Sequence, residues 1–245
     1  MQFAWWMAWN ELKHKPVALV LNGIVSAFVG ALFGLILLSE IYFEIQSKAF
    51  NLFFSMDFLI IAIMPLLGSL YLSKEYLSFH TMVSNKPFMK RLQFYRMWAI
   101  PLKTIAWSRM FYMIICLVVA LIGFIGAFVV VTWSTYSELW GSQSYLIFII
   151  VLTSYAVALS GMNPYLEFVI KGKTILIGQT LYMLLAIIFV IGLNILTERP
   201  LHSWVVDIAS NHPWIVSGIA VLTAAAGILL FQRLLVSGLK RKEFM

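Results

Sequence analysis

Long apolar runs without a charge constrain this chain more than any other feature of its sequence. The first run covers residues 17–38 and contains no charged residue. A helix needs about 20 mostly apolar residues to cross the hydrocarbon core of a bilayer. Each such run therefore predicts one transmembrane helix.

Six stretches of the chain fit this length. The other five cover residues 52–72, 110–131, 145–168, 174–196 and 214–235. Composition agrees, because 62% of the 245 residues are hydrophobic and 11% are charged, whereas about a quarter of the residues of a soluble domain are charged. The sequence predicts an all-α, polytopic membrane protein whose six transmembrane helices form a single transmembrane domain over residues 1–245.

The positions of lysine and arginine predict how the chain is oriented. Basic residues in short loops are retained on the cytoplasmic side. With the N-terminus inside, 15 of the 17 basic residues are cytoplasmic, and only Lys48 and Arg199 are outside. Both chain ends are therefore expected in the cytoplasm. Because the basic residues form short clusters between apolar runs, we expect no nucleic-acid partner.

Residues 1–14 form an aromatic segment ahead of the first span. Trp5, Trp6 and Trp9 stand beside polar and charged residues, and Pro16 follows. Indole rings favour the headgroup level of a membrane. The segment predicts an N-terminal interfacial helix with lipid as its partner, and the competing interpretation is a frayed tail with aromatic anchors.

The predicted inner loop, residues 73–108, holds seven of the 15 cytoplasmic basic residues when the adjoining Arg109 is counted with it. Asn85 is a candidate N-cap for a short helix on which Phe88, Leu92 and Tyr95 share one face. Exposed aromatic residues on such a helix either lie on the membrane or fill a groove in a partner. The residues alone leave both uses open.

Pro101 separates this cytoplasmic segment from the third span. Proline in a helix interior removes a backbone hydrogen bond and clashes with the preceding turn. Pro101 is therefore expected to end one helix and to start the next, which makes it a joint between a cytoplasmic and a transmembrane element.

Around this joint the sequence resembles the membrane subunits of ABC-2-type ATP-binding-cassette transporters. In that family an Ile/Leu-Pro-Leu/Ile element is followed by a basic or polar pair, an isoleucine, and a Ser/Gly-Arg/Lys pair. The matching residues are Ile100, Pro101, Leu102, Lys103, Ile105, Ser108 and Arg109. The interfacial helix, the six spans and the cytoplasmic ends are also similar to the family plan.

The resemblance implies a permease subunit of an exporter in the bacterial cell membrane. A second permease subunit, identical or different, would pair with it, and a separate cytoplasmic ABC ATPase would hold ATP and Mg²⁺. The substrate would be hydrophobic or amphipathic, such as a peptide, a lipid or an antibiotic. The coupling helix between spans two and three would touch the ATPase through Phe88, Leu92, Tyr95, Arg96, Trp98 and Pro101.

Enzyme signatures are missing from the sequence, so we expect no catalytic residue, metal or cofactor in this chain. The four histidines have no metal-protease spacing, and there is no Gly-Lys-Ser/Thr phosphate loop. The one cysteine, Cys116, lies in an apolar run and is interpreted as helix packing. The alternative to an ABC permease is a stand-alone membrane protein: a secondary carrier, an intramembrane enzyme or a sensor accessory.

Polar residues inside the spans are candidates for a substrate path. Asp57 is the ionisable residue placed well inside a predicted span, where a charge is costly. A plain interfacial or helix N-terminal charge competes with that role. Asn22, Gln179 and Asn194 either line a path or hydrogen-bond between helices. Asn163 and Pro164 are expected to kink or end the fourth span.

Overall fold

The computed structural model describes residues 1–42, 56–68, 95, 97, 100–169, 172–197 and 200–241, and every regular element among them is helical. This confirms the predicted all-α class for the described residues. A 3-10 turn, Met64–Leu66, continues α3. The α-helices in chain order are α1 (Gln2–Leu12), α2 (Pro16–Tyr42), α3 (Met56–Ile63), α4 (Leu102–Leu139), α5 (Ser142–Ser160), α6 (Met162–Val169), α7 (Gly172–Thr197), α8 (Leu201–Asn211) and α9 (Pro213–Arg241).

Four stretches of helix are long and apolar enough to cross a membrane. They are Pro16–Ser39, Leu102–Leu139, Ser142–Val169 and Pro213–Arg241. These stretches match the first, third, fourth and sixth predicted spans. The chain is therefore an all-helical protein with four candidate membrane-spanning helices.

The second predicted span is described only in part, whereas the fifth lies within helix α7. Of residues 52–72 the structure describes 56–68, which form α3, the 3-10 turn and a final turn. Helix α7 has 26 residues, and Thr180–Gly192 is a shorter apolar stretch within it. Six crossings therefore remain a prediction.

Helix α4 begins directly after Pro101, as the sequence predicted. Pro101 is its N-cap residue, with extended backbone angles of φ −58° and ψ 135°. The helix has 38 residues, about 57 Å at 1.5 Å per residue. It is therefore longer than the predicted 110–131 and extends beyond the apolar run at both ends.

Helices α2 and α4 run parallel and meet through glycines. A Cβ atom at Gly30 would collide with the backbone of Phe124, and one at Gly123 would collide with the carbonyl of Gly23. Small residues let two backbones approach this closely, which favours van der Waals packing between membrane helices. The pair is consequently the most extensive helix contact among the described elements.

Helices α5 and α6 run parallel to α9, with glycine at three contacts. Gly227 lies against Ala158, and Gly161 separates α5 from α6 while facing Phe231. The interruption at Gly161 lies two residues before Asn163. Because Pro164 has no N–H to donate to the Ser160 carbonyl, the helix cannot continue unbroken there. The fourth predicted span is thus interrupted beside Asn163 and Pro164, where the sequence predicted a kink or an end, and Pro164 lies in the first turn of α6.

Helix α1 and the C-terminal part of α9 lie at one end of this bundle. Arg109 of α4 contacts Glu11 of α1 and Phe168 of α6, and the neighbouring Val169 lies beside Gly238 of α9. We call this end the proximal face. The distal face is the opposite end, where the Tyr136 hydroxyl donates a hydrogen bond of 2.7 Å to the Leu37 carbonyl.

Candidate functional site

Arg109 is a buried cation at the proximal face, where α1, α4 and α6 meet. Its side chain is 3% exposed, and its Nη1 atom lies 2.7 Å from the Glu11 carboxylate. Lys15 approaches the other Glu11 oxygen at 3.7 Å. A buried charge is stable only when it is paired and hydrogen-bonded. Glu11 therefore compensates the buried charge of Arg109 and fixes α1 against α4.

Three aromatic rings surround the Arg109 guanidinium. Its central carbon lies 5.4 Å from the ring centroid of Tyr95, 5.7 Å from that of Tyr112 and 5.1 Å from that of Phe168. A cation within about 6 Å of an aromatic centroid is attracted by the ring quadrupole. Nη2 also donates a hydrogen bond to the Tyr95 hydroxyl. We call these residues with Glu11 the Arg109 cluster.

The Arg109 cluster connects three separate parts of the chain to the start of α4. Glu11 belongs to α1, Phe168 belongs to α6, and Tyr95 belongs to the predicted inner loop. A guanidinium has five donors in a rigid planar fork, so it can hold several partners in a fixed relative geometry. Its Nε atom is buried without a hydrogen-bond partner among the described residues. Arg109 therefore joins α1, α4, α6 and Tyr95 of the predicted inner loop in one set of contacts.

Two of the six predicted ATPase-coupling residues are in the described part of the chain. Tyr95 is half-buried in the Arg109 cluster, and Pro101 starts α4. Phe88, Leu92, Arg96 and Trp98 lie outside the described residues. Glu11 was not among the predicted site residues. Its signal in the sequence is that it is the only acidic residue before Glu40.

A second polar site surrounds the interruption of α3. In a continuous α-helix the N–H of residue 65 would bond to the carbonyl of Ile61. Pro65 has no N–H, so this carbonyl needs another donor. The hydroxyl of Tyr155 on α5 donates to it at 3.1 Å, and the hydroxyl of Tyr182 on α7 donates to it as well. Proline in the second span was the sequence signal for this site, which sequence reasoning missed.

The carbonyl of Pro65 is satisfied in the same way. The Asn163 amide donates to it at 3.0 Å, and the Ser160 hydroxyl donates at 3.4 Å. Broken helices at membrane depth persist only where surrounding protein bonds the freed backbone groups. A side chain at Gly68 would also collide with Ser160. Side chains from three helices therefore hold the interruption of α3 in place.

Asp57 lies at the other end of α3, buried at the distal face. Its carboxylate accepts hydrogen bonds from the backbone N–H groups of Leu201 at 2.6 Å and His202 at 3.0 Å. Nδ1 of His202 lies 3.1 Å from the same carboxylate. The anion therefore caps the N-terminus of α8, a helix that lies between the fifth and sixth predicted spans.

The four predicted substrate-path residues are not gathered into one site. Asn22 is buried on α2 and its Nδ2 has no hydrogen-bond partner among the described residues. It precedes Leu37 of the distal face by 15 residues of helix, about 22 Å, whereas Asp57 is at that face. Gln179 and Asn194 belong to α7 and are separated along it by a similar distance.

The described residues therefore form an all-helical structure with four candidate membrane-spanning helices, a buried proximal junction and an interrupted helix. Among the described residues there is no group of three or more His, Cys, Asp or Glu side chains able to hold a metal. Compared with protein-family models, curated proteins and solved structures, the chain matches none of them.

Proposed function

We propose that this chain is the membrane permease subunit of an ATP-driven ABC exporter. It moves a hydrophobic or amphipathic substrate, such as a peptide, lipid or antibiotic, out of the cytoplasm or the inner leaflet of a bacterial cell membrane. It works with a second permease subunit and with a separate cytoplasmic ATPase that binds ATP and Mg²⁺. The chain itself is a transporter subunit and performs no hydrolysis.

The observation that carries this proposal is the contact between Arg109 and Tyr95. Arg109 completes the Ser-Arg pair on which the family resemblance rests, and Tyr95 lies within residues 88–98, the segment proposed as the coupling helix. Since Arg109 is also paired with Glu11, a displacement of that segment reaches α1 and α4 together. A permease driven by an external ATPase needs such a connection between its cytoplasmic loop and its spans.

The use of Asp57 also favours an ATP-driven permease over an ion-coupled carrier. Carriers keep intramembrane carboxylates for the coupling ion. Here both carboxylate oxygens of Asp57 accept hydrogen bonds from α8. That carboxylate is engaged in holding a helix.

The test is co-purification of an ATPase with the tagged chain from its native host. We expect the full-length chain to retain a protein with a Gly-Lys-Ser/Thr phosphate loop and ATPase activity. Replacing residues 88–98 and Pro101 with a flexible linker should abolish this retention. Asp207→Asn, a change in the exposed surface of α8 at the other end of the bundle, is the control and should leave retention unchanged.

Two results would contradict the proposal. One is an ATPase retained equally well after the linker replacement. The other is ion-coupled flux by the purified chain alone, indifferent to ATP and abolished by Asp57→Asn. That second result would favour the stand-alone membrane protein instead.

A further inference from the structure

Helix α8 depends on another part of the chain for its N-terminal cap. The residue at its own N-cap position is Pro200, which makes no side-chain capping bond. The first N–H groups of a helix have no partner within the helix and must be satisfied from outside it. For Leu201 and His202 that partner is the carboxylate of Asp57 on α3.

One face of α8 is buried and the other is exposed. His202, Val206 and Ala209 follow one another at helical spacing and are 8%, 7% and 1% exposed. Trp204 and Ile208 on the other side are 46% and 49% exposed. The buried face lies over α5 and α3, with the His202 ring 6.2 Å from that of Trp140. Helix α8 thus covers the distal ends of these two helices.

A proline residue marks each end of α8. Pro200 precedes the helix, and Pro213 follows it at the start of α9. Proline interrupts the backbone bonding that would make α8 continuous with its neighbours. An isolated helix of 11 residues is also too short to be stable by itself, since isolated helices below about 12–15 residues are marginal.

We infer that α8 is a releasable lid over the distal ends of α3 and α5, latched by Asp57, and that it opens when α3 withdraws this carboxylate. The latch is a charge-assisted interaction with two backbone N–H groups and one imidazole, all at the first turn of the lid. Opening exposes the face that carries Val206 and Ala209. The inference does not depend on the proposed function, because it concerns only how α8 is held.

Cysteine reactivity tests this latch. The reporter is Val206→Cys in a Cys116→Ala background, in detergent, treated with a maleimide. In the parent the reporter is buried and should react slowly. Asp57→Ala should raise its rate about tenfold or more, because hydrogen bonds to a charged acceptor are lost at the first turn of α8. Asp57→Asn, which keeps one acceptor oxygen, should give an intermediate rate.

Two controls separate lid opening from general unfolding. Ser210→Cys lies on the exposed side of α8 and should react equally fast with and without Asp57. In Asp57→Ala carrying native Cys116 alone, this thiol, buried on α4, should stay unreactive.

An unchanged Val206→Cys rate in Asp57→Ala would overturn the inference. So would a simultaneous rise at Cys116, because Asp57 would then stabilise the whole bundle and not a lid. Fast reaction of Val206→Cys in the parent, equal to that of Ser210→Cys, would also overturn it, since α8 would then be undocked already.

Discussion

The carboxylate of Glu11 lies 2.7 Å from the guanidinium of Arg109, and this ion pair fixes the first helix of the chain against α4. It is buried on the arginine side and largely covered on the glutamate side, with 3% and 14% of the side chains exposed. The same guanidinium contacts Tyr95 and Phe168. Arg109 therefore holds α1, α6 and Tyr95 against α4 at the proximal face.

Arg109→Ala should destabilise the protein strongly. Removing one partner of a buried ion pair leaves the other charge uncompensated and costs about 3–5 kcal/mol. Thermal unfolding in detergent is the measurement. Lys103→Ala, which removes an exposed cation from the same helix, is the control and should cost far less. The Arg109→Met, Glu11→Gln double variant should lose less stability than the sum of the losses in Arg109→Met and Glu11→Gln. A loss equal to that sum would argue against the pairing.

The tyrosines at the interruption of α3 should matter only because Pro65 lacks an N–H. We expect Tyr155→Phe with Tyr182→Phe to cost about 1–3 kcal/mol by leaving the Ile61 carbonyl unsatisfied. In a Pro65→Ala background the new N–H can bond to that carbonyl, so the same pair of changes should cost at most about half as much. Stability of the four proteins in detergent checks this, and an equal cost in both backgrounds would refute it.

Glycines in the α2–α4 contact should tolerate no side chain. Gly30→Ala drives a methyl group into the backbone of Phe124, so the two helices must separate and stability should fall. Gly126→Ala on α4 meets open space, and alanine favours a helix over glycine by about 0.8–1.0 kcal/mol. Gly126→Ala should therefore be neutral or stabilising. Comparable losses in both variants would contradict this packing.

The orientation predicted from the basic residues can be tested in intact cells. In a Cys116→Ala background, Asp207→Cys on the exposed face of α8 should react with a membrane-impermeant maleimide. Lys240→Cys near the end of α9 should react only after the membrane is opened, because basic residues are retained in the cytoplasm. The reverse pattern would invert the predicted topology.

Apolar run length was enough to predict the all-helical membrane class, and four of the six predicted spans have matching helices of sufficient length. The start of α4 at Pro101 and the break beside Pro164 were also predictable, because proline changes the backbone locally whatever surrounds it. The C-terminal end of α4 was not predicted, since the helix continues past the apolar run to Leu139. Helix α8 was missed because its cap comes from a residue far away in the sequence.

The sequence alone determined which segments can reside in a membrane, because helix length and hydrophobicity act over consecutive residues. Only the tertiary structure decided which polar groups meet. Glu11 pairs with Arg109, and Asp57 accepts hydrogen bonds from the N-terminus of α8. Two tyrosines donate hydrogen bonds to the Ile61 carbonyl, which Pro65 cannot satisfy. Each of these partners is chosen because a buried charge or backbone group must be satisfied, and which partner lies within reach depends on how the helices pack.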